Sequence, residues 1–284
     1  MGRFTEWAEW AEQADRAGPS GSILEEDRMS KAGRGIARGA VVVAGASVTA
    51  ACATNPVTGK REFSLVSESQ EIELGRQTAR DVEASIGVYP DSGAQQYVRA
   101  IGLRMAADSE RPQLPWSFKV VDDAAVNAFA LPGGFIYVTR GILVHFRDQA
   151  ELATVLGHEI GHVTAKHSVQ AISRAQLAHL GLGIGSILSD DVAQASGVAS
   201  AGLGVLFLKY GRGAEDQADR LGFRYALDDG YDVRAMSRVF QTLERVSNQS
   251  NAGRLPQWLS SHPDPENRLA KNQARLDSLS RDTS

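Results

Sequence analysis

The sequence has a single cysteine, no run of basic residues and no uninterrupted apolar stretch long enough for a membrane span. One cysteine, Cys52, cannot form an internal disulfide, which excludes a disulfide scaffold and a cysteine-rich zinc site. The formal net charge of -4 and the lack of basic-aromatic alternation argue against nucleic acid as a partner. With 43% hydrophobic residues over 284 positions, the chain can build its own core as one large domain or two small ones.

Two apolar segments fall short of the roughly 20 residues that a membrane-spanning helix needs. The first, residues 39–51, follows three basic residues and has the form of a secretory signal. The second, residues 177–208, is rich in Gly and Ala but is interrupted by Asp190 and Asp191. We interpret the second segment as two loosely packed helices or a flexible lid.

The end of the first segment indicates lipidation. Ala50 and Ala51 directly before Cys52 resemble a bacterial lipoprotein signal, in which the cysteine becomes the lipidated first residue of the mature protein. Thr49 departs from that pattern, which usually has an aliphatic residue there. We interpret residues 29–51 as a signal peptide of the lipoprotein type and Cys52 as a membrane anchor. A buried free thiol and an ordinary cleaved signal are the alternatives.

Residues 1–28 precede the predicted signal peptide, although a secretory signal normally begins at the N-terminus of the chain. They are acidic and contain Trp, which suits neither the basic nor the apolar part of a signal. We therefore interpret them as a mis-called extension, with Met29 as the true start. A short cytoplasmic amphipathic segment before a signal anchor is the alternative.

After Cys52, residues 52–66 read as a polar tether and residues 67–284 as one domain. Helical spacing of apolar residues predicts helices over 67–86, 92–107, 148–179, 212–229, 232–249 and 264–280. Short β-rich runs predict strands over 116–122 and 133–139, the second beginning at a Pro-Gly-Gly turn. The fold class is therefore α+β, mainly helical with a small β-sheet.

The segment LGHEIGHVTAKH, Leu156–His167, concentrates the ligand chemistry of the chain. His158 and His162 are four residues apart, so on a helix they project from one face and can share a metal ion. Glu159 lies beside them. Zinc is the favoured metal because imidazole suits it, and a catalytic zinc needs three protein ligands and one open position.

The third ligand has several candidates. His167 comes five residues after His162, which turns it roughly 140° away on a continuous helix. We therefore interpret His167 as a helix-end residue that takes no part in the site. Downstream, Glu215 and Asp219 share a helical face, and a glutamate there could complete a His₂Glu site. The residues alone leave the choice among the acidic side chains open.

Five segments occur in order along the chain: CATNPVTGKREFSLVSESQEIELG, VNAFALPGGFIYVTRGIL, LATVLGHEIGHVTAKHS, AEDQADRLG and SSHPDPENRL. Together they resemble the HtpX and CAAX-prenyl-protease family of zinc metallopeptidases, and within it the bacterial periplasmic lipoprotein (BepA- and LoiP-like) branch. The resemblance implies a zincin-like domain of the gluzincin kind, with the sheet beside the active-site helix. It also implies one Zn²⁺ per chain held by His158, His162 and Glu215, with Asp219 orienting a ligand histidine.

In such a site, Glu159 would take a proton from water and pass it to the leaving amine. His262, in SSHPDP, is our candidate for stabilising the oxyanion. In similar lipoprotein peptidases the corresponding loop lies over the site, and the histidine can instead occupy the open position of the zinc and hold the enzyme latent. A turn histidine fixed by Pro263 and Pro265 is the alternative to both roles.

The resemblance also makes VNAFALPG a sheet edge to which a substrate peptide adds a strand, near Asn127, Ala128 and Phe129. From the residues alone, this stretch is a loop before a strand. The implied function is a zinc endopeptidase, periplasmic and lipid-anchored to the outer membrane, that hydrolyses misfolded or unassembled envelope proteins. Outer-membrane assembly machinery is a further expected partner. The alternative is a non-hydrolytic or latent zinc-binding chaperone or assembly scaffold.

Overall fold

A computed structural model describes residues 52–179, 210–249, 257–262 and 265–282. The described strands are β1 (Cys52–Thr54), β2 (Arg61–Phe63), β3 (Ser117–Val121), β4 (Ala128–Leu131) and β5 (Phe135–Thr139). The described helices are α1 (Glu68–Ser85), α2 (Ser92–Ala107), α3 (Arg140–Leu143), α4 (Gln149–Thr164), α5 (His167–His179), α6 (Arg212–Asp228), α7 (Ala235–Gln249), α8 (Gln257–Ser261) and α9 (Pro265–Asp282). This mainly helical arrangement with a small sheet confirms the α+β prediction.

Several predictions concern residues that the structure does not describe. The mis-called extension and the signal peptide, residues 1–51, lie outside the described residues. So does most of the segment 177–208, for which we predict loosely packed helices or a lid; only its first three residues are described, at the end of the helix His167–His179. Among the described residues, no helix combines the length and the apolar character that a membrane crossing requires.

The segment 52–66, which the sequence analysis treats as a tether, contains an antiparallel hairpin of β1 and β2. Its turn is closed by the Asn55 side chain, whose Oδ1 accepts hydrogen bonds from the amides of Val57 and Thr58. The Asn55 Nδ2 also donates to the carbonyl of Ala165, 3.3 Å away. The expected tether is therefore folded against the domain, because one asparagine satisfies both the turn and a helix end.

The main sheet has the order β3-β5-β4, with β3 parallel and β4 antiparallel to β5. Strands β3 and β5 confirm the two predicted strands. Strand β4 corrects the reading of its stretch as a loop. The segment Ala128–Leu131 has weak strand propensity because two of its four residues are alanine. It nevertheless pairs with β5, because Gly133 and Gly134 adopt positive φ and reverse the chain between the two strands.

Helix α4 lies at the centre of the domain, and its residues from Ala150 to Thr164 are all buried. It starts at Asp148, whose carboxylate accepts a hydrogen bond from the amide of Glu151. The main core includes apolar residues of this helix together with residues of α2, the sheet, α6 and α7. The predicted buried helix thus carries the HEIGH segment through the middle of the protein.

The predicted continuous helix over 148–179 is wrong at one point, since α4 ends at Thr164 and α5 begins at His167. Between them, Lys166 has a φ of 59°, a left-handed conformation that interrupts the helix. The break changes the direction in which His167 points. The roughly 140° separation expected for a continuous helix does not apply to it.

Helices α4 and α6 approach each other through small residues. A Cβ added at Gly222 would lie 2.7 Å from the backbone nitrogen of His158, closer than side chains can pack. One added at Gly161 would lie 3.1 Å from the Cα of Ala218. This close approach brings the acidic face of α6 alongside the two histidines of α4.

Candidate metal centre

His158 and His162 project from adjacent turns of α4, with their Nε2 atoms 3.0 Å apart. Both side chains are buried. Burial lowers the pKa of His158 and lowers that of His162 well below its usual range, so both imidazoles are neutral. A neutral imidazole is the form that binds a metal ion.

Glu215 reaches the same point from the first turn of α6. Its Oε2 lies 3.7 Å from His158 Nε2, and its Oε1 lies 3.5 Å from His162 Nε2. Burial raises the pKa of Glu215 to about 7, although the Arg268 guanidinium opposes the rise. A bound cation would remove this cost of burying the carboxylate.

His262 follows α8 directly and completes the group. Its Nδ1 lies 3.2 Å from His158 Nε2 and 3.1 Å from Glu215 Oε1. Its ring stacks on Trp258, with centroids 4.8 Å apart. Burial lowers the pKa of His262 to about 4, so it also presents a neutral ring. The structure therefore brings His262 into the donor group rather than leaving it in a surface turn.

These four side chains fit a zinc ion. Ligand atoms about 2.0–2.1 Å from a tetrahedral zinc lie roughly 3.3 Å from one another. For five of the six pairs among His158, His162, Glu215 and His262, ring nitrogens or carboxylate oxygens lie 3.0 to 3.7 Å apart, counting either oxygen of Glu215. All four donors lie within 4.8 Å of each other. Three imidazole nitrogens and a carboxylate are also the ligand types that zinc prefers.

Glu159 lies beside the donor group and outside it. Its side chain is buried, and its Oε1 has no hydrogen-bond partner among the described residues. That oxygen lies 3.6 Å from His262 Nε2. Burial raises the pKa of Glu159 to about 7, with the nearby His262 opposing the rise. An unpartnered buried oxygen next to a metal site is suited to accept a proton.

Asp219 supports His158 from behind. The Nδ1–H of His158 donates to Asp219 Oδ1 at 2.9 Å, which leaves Nε2 free to face the donor group. Burial alone would raise the pKa of Asp219, but Arg268 overrides this effect and holds it well below the usual range. Asp219 is therefore hydrogen-bonded to the outer ring nitrogen of His158, and its orienting role stays a prediction.

Arg268, on α9, is a buried residue to which the sequence analysis assigns no role. Its guanidinium donates to both oxygens of Asp219, at 2.8 and 2.6 Å, and its Nη1 lies 3.1 Å from Glu215 Oε2. It also lies over the rings of Trp258 and Phe240, 4.6 and 4.7 Å from their centroids. One guanidinium therefore contacts two buried carboxylates of α6 and supplies a single positive charge for both.

His167 is outside the donor group but is not a spectator, which corrects the sequence analysis. Its Nδ1 lies 3.0 Å from His162 Nδ1, and its Nε2 lies 3.2 Å from Gln217 Oε1. The side chain is buried. The break after α4 accounts for this position, since it turns His167 back toward the helix that it follows.

The edge strand β4 runs close to this centre. The amide of Trp258, in α8, donates to the carbonyl of Val126 at 3.2 Å. Asn127 follows directly and is buried, and its Oδ1 has no partner in the described part of the chain. Ala128 and Phe129 begin the strand. All three predicted edge residues therefore lie in or beside β4, and the helix preceding His262 covers its start.

Residues 92–276 match peptidase family M48. This span contains every residue of the donor group and more than half of the chain. The chain belongs to peptidase family M48. The match confirms the family that the ordered motifs indicate, and M48 peptidases are zinc-dependent.

The M48 chain has relatives among characterised proteins. It is 31% identical over 231 residues to the beta-barrel assembly-enhancing protease of Yersinia pestis, which covers 77% of this chain and 47% of the relative. It is 29% identical over 236 residues to that of Escherichia coli K12, covering 80% and 48%. It is also 31% identical over 208 residues to the mitochondrial metalloendopeptidase OMA1 of Arabidopsis thaliana, covering 72% and 41%. The chain thus spans about half the length of these relatives or less.

The role of Arg268 can be tested by Arg268→Met in the presence of a chelator, so that metal binding does not contribute. Removing the guanidinium leaves the carboxylates of Asp219 and Glu215 buried without their cation. We expect the free energy of unfolding to fall by about 3–5 kcal/mol, measured by urea denaturation. Arg268→Lys keeps the charge but loses the two-pronged hydrogen bonding, so we expect an intermediate loss.

Arg275 provides a matched control. It joins α9 to Asp216 of α6 at 2.7 Å, but both side chains are partly exposed, at 16% and 28%. Arg275→Met should therefore cost less than about 1 kcal/mol. Equal losses for the two methionine variants would contradict a special role for Arg268.

Proposed function

We propose that this M48 chain is a zinc-dependent endopeptidase. The observation that carries the proposal is the convergence of His158, His162 and Glu215 on one point, with the Glu159 carboxylate beside them. Zinc held by these three ligands would supply a Lewis acid that polarises a substrate carbonyl and lowers the pKa of water toward ~7.

Glu159 would carry the proton. Its Oε1 is buried and has no hydrogen-bond partner in the described residues, so it can accept a proton from an attacking water molecule. Because its pKa is raised to about 7, the protonated carboxyl can then give that proton to the leaving amine near neutral pH. Asp219 and Arg268 would hold His158 and Glu215 in place while the proton moves.

Glu159→Gln tests this assignment. The substitution keeps the size of the side chain and removes the base, and Glu159 is not in the donor group. We expect about one zinc per chain to remain, with peptide hydrolysis reduced roughly 10²–10⁴-fold. Metal analysis and casein hydrolysis measure the two quantities. His158→Ala is the control, in which both zinc and activity should be lost.

Hydrolysis at the wild-type rate by Glu159→Gln would contradict the role of the base. The same variant can retain bound polypeptides, and their identification by mass spectrometry would show whether they are envelope proteins. If the bound polypeptides came from other compartments and included no envelope proteins, the substrate class proposed below would be contradicted.

We infer that the described conformation is a latent one. The Nδ1 of His262 lies among the donor atoms, in contact with His158 and Glu215, and its Nε2 lies 3.6 Å from Glu159 Oε1. A role in stabilising the oxyanion would require the ring to leave this position. The geometry therefore favours occupation of the fourth zinc position over the oxyanion role.

His262→Ala separates these two roles. If the histidine holds the enzyme latent, and the closed form is about 90% populated, hydrolysis of casein should rise about tenfold. If the histidine stabilises the oxyanion, hydrolysis should fall roughly 10²–10³-fold. His145→Ala, a substitution outside the donor group, is the control. If neither His262→Ala nor the wild type hydrolyses casein in a chelator-sensitive way, the alternative function, a non-hydrolytic zinc-binding scaffold, is favoured.

We propose that substrate adds a strand to β4. The Thr139 amide of β5 donates to the Asn127 carbonyl, and the Asn127 amide donates to Thr139 Oγ1. By alternation along the antiparallel pair, the backbone groups of Ala128 and Ala130 face away from β5. Both residues are buried in this conformation, so pairing with an extended peptide, which is sequence-tolerant, requires that the cover over β4 moves away. With peptide bound to Glu159→Gln, the amides of Ala128 and Ala130 should exchange hydrogen more slowly, and unchanged exchange would contradict the pairing.

We propose that the substrates are misfolded or unassembled envelope proteins and that the protein acts in the periplasm, held to the outer membrane by lipid on Cys52. The signal-like segment ending in Ala50 and Ala51 supports the anchor. The similarity to beta-barrel assembly-enhancing proteases supports the substrate class and makes outer-membrane assembly machinery a proposed partner.

The mass of the N-terminal peptide of the protein from its native host tests the anchor. We expect it to begin at Cys52 and to carry the additional mass of acyl chains. Cys52→Ser should release the protein from the membrane fraction. An unmodified Cys52 would contradict the anchor, and a recovered peptide from residues 1–28 would contradict the mis-called extension.

A further inference from the structure

The two histidines of α4 have different partners on their outer ring nitrogens. A ligand histidine usually donates its second N–H to a carboxylate, a carbonyl or water, which fixes its tautomer. His158 follows this rule, since it donates to Asp219. His162 does not, because its Nδ1 faces another imidazole nitrogen, that of His167.

Only one proton can lie between two nitrogens 3.0 Å apart. To present the lone pair of its Nε2 to zinc, His162 must carry its proton on Nδ1 and donate it to His167. His167 then carries its own proton on Nε2 and donates it to Gln217 Oε1, 3.2 Å away. Zinc binding thus sets the direction of both hydrogen bonds.

We propose that His167 is a positioning residue for the zinc ligand His162, acting as a neutral hydrogen-bond acceptor whose own orientation is fixed by Gln217. This inference rests on the proposed zinc site. His167 touches neither zinc nor substrate in this scheme. It keeps the metal-binding tautomer of His162 and the rotation of its ring.

The surroundings restrict both rings. The ring of Tyr210 lies against His162, with centroids 4.1 Å apart, and its hydroxyl hydrogen-bonds with Ser168 Oγ at 2.9 Å. The left-handed Lys166 ends α4 and allows His167 to fold back. Among the described residues, the hydrogen-bond partners of His167 are His162 and Gln217, so it faces no carboxylate that would hold it in the charged form.

Gln217 also connects the two helices that supply the metal ligands. It lies on α6 two residues after Glu215, and its bond reaches α4 through His167, which begins α5 and contacts His162. The opposite orientation of its amide would have Nε2 donating to His167. The proton of His162 would then lie on Nε2, and that nitrogen could not bind metal. The direction of the Gln217 amide is therefore part of the site.

The experiment compares zinc affinity, by competition with a chromophoric chelator, in wild type, His167→Leu and His167→Asn. Leucine fills the space but accepts no hydrogen bond. The Oδ1 of asparagine is as many bonds from the backbone as Nδ1 of histidine and can accept the His162 proton. We expect His167→Leu to weaken zinc binding about 10- to 100-fold and His167→Asn to restore most of it.

Two controls separate this inference from the proposed function. Ser173→Ala removes another buried polar contact of α5, the bond from the Leu65 amide, and should leave zinc affinity unchanged. The wild type must bind about one zinc that His158→Ala loses, and failure of this test would overturn the metal site itself. If the wild type binds zinc and His167→Leu binds it equally well, only the inference fails.

Nitrogen-15 NMR of the zinc-loaded wild type gives a readout that requires no variant to fold. The proposal expects His167 protonated on Nε2 alone and His162 protonated on Nδ1. A His167 protonated on Nδ1, or on both nitrogens, would overturn it. So would equal losses of zinc affinity in His167→Leu and His167→Asn, because packing alone would then explain the effect.

Discussion

The close contact of α4 with α6 is the constraint on which the rest of the structure depends. Gly222 faces the backbone of His158, and Gly161 faces Ala218, so the two backbones lie almost in contact. Glutamate and aspartate side chains are short compared with the usual spacing of 8–10 Å between helix axes. Without this approach, Glu215 and Asp219 could not reach the histidines of α4. The candidate metal ligands are therefore positioned by the absence of side chains at Gly161 and Gly222, which lets the two helices approach.

A second constraint is electrostatic. Glu159, Glu215 and Asp219 are all buried within one small region, and Arg268 is the buried guanidinium that contacts two of them. Burial raises the pKa values of Glu159 and Glu215 to about 7, which measures how poorly the region accommodates negative charge. A divalent cation supplies the missing positive charge. The same imbalance that would destabilise an apolar core makes this region a metal site.

Much of this could be predicted from the sequence. The HEIGH spacing predicts that His158 and His162 share one helix face, because helix geometry brings residues four apart together, and most helices follow from their apolar periodicity. Contacts between segments that are distant in the sequence could not be predicted from the residues alone. Glu215 required the family resemblance, and His167 was assigned wrongly because the left-handed Lys166 has no clear sequence signal. Arg268 also lacked a clear signal, since Arg268 and Asn272 are polar residues four apart, a pattern that predicts an exposed face, although both are buried.

The hairpin of β1 and β2 would limit the reach of a protein anchored by lipid at Cys52. Asn55 is buried and bonded to the carbonyl of Ala165, next to the break that positions His167. With lipid on Cys52, only three residues would separate the bilayer surface from this docked side chain, a span of roughly 10 Å when extended. Such a short connection leaves little freedom to sample the surrounding solution. Encounters with substrate would then be confined to a thin layer next to the bilayer, and the surface density of unfolded chains, rather than their bulk concentration, would set the rate.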